Sequence, residues 1–261
     1  MSRPSIHPRP MEVDLTPAPV ARAQVASAAH GRPASLSVFF PMYNERDNIG
    51  RVLAEAAQVL PTLGLRDYEI LVIDDGSQDG SGEVVADCAR HNPHIRLVRH
   101  PRNLGYGAAL RTGFASASRE VVFYTDSDLP VDLREIAVAL REIEHADLVI
   151  GYRVRRHETL RRAVYSRVYN QLMRWMFGVQ VRDVNFSFKM IRREVLERIS
   201  LTAGTVFIDG QLLAEAQRLG CRIVEIPVRY WPRQSGASSF DSLGVAWDTL
   251  REMVSYRLQL L

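Results

Sequence analysis

The stretch Val121-Val122-Phe123-Tyr124-Thr125-Asp126-Ser127-Asp128 decides how this chain is read. Its first four residues are apolar or aromatic and read as a buried strand. The strand stops at two carboxylates two positions apart, Asp126 and Asp128. Such a pair can hold a hard divalent cation that keeps some of its waters and bridges to phosphate oxygens. It can equally cap the next helix, and the triplet alone leaves both readings open.

The same grammar repeats outward from this stretch. Leu36 to Phe40 reads as a strand and is followed by Pro41-Met42-Tyr43-Asn44-Glu45. Helical spacing then runs through Ile49, Val52, Leu53, Ala56 and Leu60. Glu69 to Ile73 is a second strand, ending at Asp74-Asp75-Gly76-Ser77, with a helix through Val84, Val85 and Cys88 behind it. Ile95 to Val98 is a third strand, and the loop Asn103 to Gly107 opens a helix through Leu110 and Phe114. Beyond the central stretch come a helix over Asp132 to Ile143 and a fifth strand over Leu148 to Ile150. Strands alternating with helices predict an α/β fold, a mostly parallel sheet with helices on both faces. Ligands bind such sheets beyond the carboxyl ends of the strands. Three polar motifs fall at that edge: Tyr43 to Glu45, Asp74 to Ser77, and Asp126 to Asp128.

Each motif offers a chemistry. Tyr43 can stack on a base or ribose, and Glu45 can accept from ribose hydroxyls. A carboxylate in Asp74-Asp75 can accept from a base N–H, while Gly76 allows a tight backbone turn. Asn103-Leu104-Gly105-Tyr106-Gly107 has two of the three glycines of a dinucleotide fingerprint and does not follow the first strand, which argues against a dehydrogenase. It reads instead as a flexible loop near a nucleotide, at the positive end of a helix.

The second half is less regular. Gly151 to Asp183 is dense in arginine: Arg153, Arg155, Arg156, Arg161, Arg162, Arg167, Arg174 and Arg182. Within it Leu160 to Phe177 reads as a helix, lying either in a membrane interface or against the core. Phe186 to Ile191 and Arg222 to Ile226 read as strands, and Arg193 to Ile199 and Gly210 to Leu219 as helices. Arg229 to Phe240 is a polar loop. Residues 241–261 form an amphipathic helix that can dock on a membrane, a partner or its own core.

The chain has 261 residues, 46% of them hydrophobic, which suits one large α/β domain with appendages. A formal charge of +3 does not point to nucleic acid. Lys189 is the sole lysine among 33 basic residues. Cys88 and Cys221 lie far apart and form no metal-type pair. Residues 1–34, with six prolines and no apolar periodicity, read as a disordered tail. No apolar run approaches about 18 residues, and no signal-peptide core is present. The expected location is cytoplasmic, with attachment to a membrane surface or membrane-protein partner left open.

Taken together, the motifs resemble family 2 glycosyltransferases of the GT-A fold, in the branch of dolichol-phosphate mannose synthase. The resemblance spans roughly residues 36–240. It is carried by Pro41 to Glu45, Val72 to Gly80, Asn103 to Gly113, Asp126 to Leu129, Gly151 to Arg153, Asp183 to Met190, and Glu225 to Val228 leading into Arg233. It implies a single Rossmann-like mixed sheet, with residues 35–240 as the catalytic domain. It implies a nucleotide-sugar donor (GDP- or UDP-linked), a polyprenyl or dolichyl phosphate acceptor, and Mg2+ or Mn2+. Pro41, Tyr43, Glu45, Ile73 and Asp75 match nucleotide contacts. Asp126, Ser127 and Asp128 match diphosphate contacts, with Asp126 and Asp128 as metal ligands. Arg153 matches an arginine between donor and acceptor, and Arg233 one on a loop closing over the donor; Asp128, Arg153 and Arg233 are thus the catalytic candidates. Arg162 and Ser166 match positions that hold the acceptor phosphate. Two departures stand out: Gly236-Ala237-Ser238-Ser239 lacks a lysine frequent in relatives, and Pro130 replaces a frequent polar residue.

A polyprenyl phosphate, with a second pKa of about 6, reaches the anomeric carbon already ionised and needs no strong general base. Arginine, pairing bidentately with phosphate, would orient it. A hydroxyl acceptor would need a base, for which Asp183 and Asp209 are the candidates. A non-catalytic nucleotide-sugar-binding protein is the remaining alternative, and the intact Asp126/Asp128 pair argues against it.

Overall fold

The computed structural model of the chain describes residues 30–128, 131–154, 160–230 and 243–260, without the side chains of residues 160–162 and 243. Strands β1 (Ser35–Met42), β2 (Asp67–Asp74), β3 (Ile95–Arg99) and β4 (Val121–Tyr124) alternate with helices α1 (Arg46–Val59), α2 (Ser81–His91) and α3 (Tyr106–Ser116). Then come α4 (Ile136–Glu142), β5 (Leu148–Arg153), α5 (Leu160–Phe177), β6 (Lys189–Arg192), α6 (Arg193–Leu196), α7 (Phe207–Arg218), β7 (Ile223–Val228) and α8 (Leu243–Gln259). The seven strands form one sheet in the order β3-β2-β1-β4-β6-β5-β7. Only β6 runs antiparallel to its neighbours. The mixed, mostly parallel α/β sheet matches the expectation from the sequence.

Strand residues alternate between faces, so each central strand feeds two cores. Val38, Phe40, Val72 and Phe123 pack on one face with Ile49, Val52 and Leu53 of α1 and Ile136 and Leu140 of α4. Phe39, Leu71, Ile73, Val122 and Tyr124 pack on the other with Leu110 of α3, Met173 of α5, Phe207 of α7 and Met253 of α8. Each fully buried side chain of this size stabilises by about 1.5–3 kcal/mol. This is why the central runs Val38 to Phe40, Ile70 to Ile73 and Val121 to Tyr124 are wholly apolar or aromatic.

The order around β1 places the site. β2 lies on one side of β1 and β4 on the other, so successive crossovers diverge there and leave a crevice at their carboxyl ends. Because β6 is antiparallel, the residues preceding it reach the same edge as the ends of β4 and β5.

Boundaries differ where tertiary contacts override local pattern. The expected strand at Phe186 begins only at Lys189, because Phe186 to Phe188 turn: the Phe186 carbonyl accepts from Phe188 N at 2.9 Å and from Lys189 Nζ at 2.8 Å. The helix expected from Gly210 starts at Phe207, a residue buried against the second core. The helix expected over Arg193 to Ile199 stops at Leu196. The one expected over Asp132 to Ile143 is a short α4 between two 3-10 turns.

Of the residues assigned to a tail, 1–29 lie outside the described residues, whereas His30 to Ala34 are held against the body. His30 N donates to Glu144 O at 3.1 Å, Arg32 to Leu63 O at 2.8 Å, and Ala34 N to Glu120 Oε2 at 2.8 Å. The C-terminal helix docks on its own core through Met253 and Tyr256, and Glu252 accepts from Gly204 N at 2.9 Å and Thr205 N at 3.1 Å. No helix among the described residues is long and apolar enough to cross a membrane.

Candidate active site

The first two strands end in loops that clasp each other. Asn44, in a left-handed conformation (φ 55°) that its short polar side chain tolerates, donates through its N–H to Ser77 Oγ at 2.9 Å and accepts from Gln78 N at 2.9 Å. Glu45 N donates to Ser81 Oγ at 2.9 Å, and Glu45 Oε2 accepts from Asn48 Nδ2 at 2.7 Å. Tyr43 stands at the rim, 42% exposed, where a ring can stack on a planar ligand. Pro41 and Ile73 are register partners, and both are buried. What they can offer a ligand is main chain rather than side chain.

The acids ending β2 turn inward. Asp74, fully buried, accepts from Ser77 N at 2.8 Å and Arg99 Nε at 2.7 Å. Asp75 accepts from Leu104 N and Gly105 N, both at 2.9 Å, and contacts His100 Nδ1 at 2.7 Å. The glycine-bearing loop is therefore fastened rather than loose, and an anion of the protein itself sits at the start of α3. The loop amides of Leu104 and Gly105 just before α3 are engaged by Asp75, and Gly107 N donates to Gly204 O at 3.1 Å. Gly76 is obligatory: its φ is +75°, and a Cβ would come within 2.4 Å of the Arg102 backbone.

The acids ending β4 are placed differently. Asp126 and Asp128 are half-buried, with Ser127 between them buried. Asp126 Oδ2 accepts from Ser187 Oγ at 2.6 Å. Two half-buried carboxylates at a strand end form an oxygen-only donor set, which suits Mg2+ or Mn2+. Among the described residues, the group of three or more such side chains whose ligand atoms lie close together is His30, Asp147 and Glu194. It fits a metal poorly, because the imidazole faces Asp147 through Nε2 (3.2 Å) and Glu194 through Nδ1 (3.4 Å), spanning the acids instead of sharing a centre with them.

Arg153 closes β5 at the same edge. Its Nε and Nη2 donate to Asp183 Oδ2 and Oδ1 at 2.7 and 3.1 Å. Its guanidinium lies 5.6 Å from the Phe186 ring centre and 5.3 Å from that of Tyr230. A bidentate pair beside two rings that meet each other edge-on, 6.0 Å between centroids, gives the arginine one orientation. Asp183 is 1% exposed.

Asp209 is also committed. It accepts from Lys189 Nζ at 2.5 Å, from the Tyr124 hydroxyl, and from Tyr106 Oη at 3.2 Å. Burial, then the Asp209 charge, pushes both phenols well above their ordinary range. Lys189, the sole lysine, is wholly buried. A compact ammonium facing one carboxylate and one carbonyl explains why arginine does not serve there.

Of the remaining candidates, Ser166 is half-buried on α5, one turn beyond Arg162, whose side chain lies outside the described residues. Arg233, Pro130 and the run Gly236 to Ser239 also lie outside them. Reading the sequence missed Ser187, Lys189, Tyr230 and His100 as site neighbours. Only the segment Asp183 to Met190, already part of the family resemblance, carried a signal for the first two.

The glycosyl transferase family 2 model matches residues 37–200. This chain belongs to that family. The glycosyltransferase is 31% identical to polyprenol monophosphomannose synthase of Mycolicibacterium smegmatis, covering 80% of this chain and 82% of that protein. It is 29% identical to a dolichyl-phosphate beta-glucosyltransferase of Trichomonas vaginalis (88% and 76% covered). It is 28% identical to an undecaprenyl-phosphate 4-deoxy-4-formamido-L-arabinose transferase of Klebsiella pneumoniae (87% and 69%). Among solved structures, glucosyl-3-phosphoglycerate synthase of Mycobacterium tuberculosis superposes with a TM-score of 0.68 at 22% identity, covering 86% of this chain and 80% of that one. That enzyme has been crystallised with Mn2+ and UDP-glucose. At this identity the likeness establishes the shared fold of the glycosyltransferase.

Proposed function

We propose that this enzyme transfers a hexose, with inversion, from a GDP- or UDP-linked donor to a polyprenyl phosphate held at a membrane surface. The observation that carries the acceptor is the commitment of both candidate bases. Asp183 is locked in a bidentate pair with Arg153, and Asp209 is buried among Lys189, Tyr124 and Tyr106. A hydroxyl acceptor needs a base at the reacting centre, whereas a phosphate acceptor arrives ionised. Relatives whose names specify dolichyl-phosphate, polyprenol and undecaprenyl-phosphate substrates support the same choice.

In this reading Tyr43 and Glu45 receive the nucleoside, with main-chain groups near Pro41 and Ile73. Asp75 acts by holding the adjoining loop. Asp126 and Asp128 bind Mg2+ or Mn2+, which when bound neutralises charge developing on the diphosphate leaving group. Arg153 orients acceptor against donor, Arg162 and Ser166 hold the acceptor phosphate, and Arg233 closes over the donor. The lipid end is served by α5, where Val164, Val168 and Trp175 form one exposed stripe, with Trp175 80% exposed. Arg167 and Arg174 flank it, exposed as well, a pattern suited to an anionic lipid interface.

The test is a transfer assay with Mn2+ or Mg2+, UDP- and GDP-sugars, and a short polyprenyl phosphate on anionic vesicles. Lipid-linked sugar is the expected product. Transfer confined to hydroxyl acceptors, at full rate without any prenyl phosphate, would overturn the reading.

A further inference from the structure

Ser187 reaches the site by an unusual route. It precedes β6, the one antiparallel strand of the sheet, so a residue at a strand's beginning meets residues at the end of β4. Its hydroxyl, on a residue only 4% exposed, donates to Asp126 Oδ2 at 2.6 Å.

The turn that carries Ser187 is braced from behind. The Phe186 carbonyl receives Phe188 N at 2.9 Å and Lys189 Nζ at 2.8 Å, and the same ammonium meets Asp209 of α7 at 2.5 Å. Shifting Ser187 would drag the Phe186 carbonyl off a fully buried ammonium, which is strongly unfavourable. A carboxylate that accepts from a fixed hydroxyl loses rotation about its Cβ–Cγ bond. Its second oxygen then keeps one direction, and a cation meeting it has little left to order.

We propose that Ser187 is a positioning residue for Asp126 as a metal ligand, with the buried Lys189–Asp209 pair as the buttress of its turn. The inference rests on the reading that Asp126 and Asp128 hold the divalent ion.

The test titrates Mn2+ alone into the full-length protein and follows free Mn2+ by its electron paramagnetic resonance signal. Ser187→Ala, Ser187→Cys, Ser187→Thr and Asp126→Ala are compared, each checked for folding by circular dichroism. Loss of an outer-shell partner weakens metal binding about 10- to 100-fold. That rise in Kd is expected for the alanine and cysteine variants, whereas the threonine variant, which keeps the hydroxyl, stays within about threefold of wild type. Asp126→Ala abolishes binding. If the alanine and cysteine variants bind Mn2+ within about twofold of wild type while Asp126→Ala does not bind it, the positioning role is wrong and the metal reading stands. Mn2+ binding that survives Asp126→Ala, or is absent from the wild type, removes both.

Discussion

Strands β2 and β4 flank β1 and each ends in a pair of acids, yet the two pairs have opposite fates. Asp74 and Asp75 are 0% and 4% exposed, and the protein's own amides, Arg99 and His100 occupy them. Asp126 and Asp128 stay half-buried, with a hydroxyl from across the sheet on one of them. Neighbouring chain explains the difference. The end of β2 lies beside β3 and the loop opening α3, which close over it. The end of β4 lies beside the start of an antiparallel strand, which braces it from one side. An acidic pair at a strand end is thus sealed in or left half-exposed according to the chain packed beside it.

The sharpest way to break this contrast is to exchange the outcomes of substitution. Asp126→Ala should lower turnover about a thousandfold or more, since a metal ion supplies several kcal/mol of charge stabilisation. Its midpoint of denaturation should barely move. Equal losses of stability and activity would place Asp126 with the sealed-in pair.

Asp75→Ala should do the reverse, costing about 2 kcal/mol of stability by removing the acceptor of two part-buried amides and the partner of His100. Urea unfolding monitored by circular dichroism reads this directly. Retained stability there would mean that the loop opening α3 holds itself.

Arg153→Lys sharpens the active side. A lysine cannot form the bidentate pair with Asp183, and turnover should fall about 10- to 100-fold, the equivalent of one charge-assisted bond. The fall should appear in kcat and in the KM for the prenyl phosphate acceptor, with the donor KM little changed.

The smallest effect lies at the opposite, amino edge of the sheet. Glu69 accepts from Ser37 Oγ at 2.7 Å, Ser118 N at 2.7 Å and Ser118 Oγ at 2.8 Å. Burial alone would raise its carboxyl, but these hydrogen bonds and the Arg119 charge hold it below the ordinary 4.5. A depressed folded value means the unfolded chain binds the proton more readily. The stabilisation is therefore full above about pH 4.5 and is lost as pH falls through the folded value. Glu69→Gln should flatten that acid limb by about 1 kcal/mol, measured as urea midpoints from neutral pH downward.

The strands were legible because their residues are apolar on both faces, a pattern that burial between two helix layers demands. The loops were legible as polar interruptions, and several aligned interruptions pointed to the carboxyl edge. The roles within them were less so. Asp75 matched a nucleotide contact, yet its oxygens meet the adjoining loop, because Leu104 and Gly105 are brought to it only when β2 and β3 pair. Ser187 lies in a segment expected to be strand, and its bond to Asp126 spans 61 residues of sequence.

The sequence by itself determined the α/β alternation, the edge at which the polar motifs gather, and the family. These come from local periodicity and from motifs only a few residues long. Only the tertiary structure decided that β6 runs against its neighbours, that Asp183 and Asp209 are spent on Arg153 and Lys189, and that Asp126 rather than Asp75 has its carboxylate half-exposed at the edge. Hydrogen-bond partners are chosen by proximity in space, and strand order, on which that proximity depends, is set by packing of whole faces.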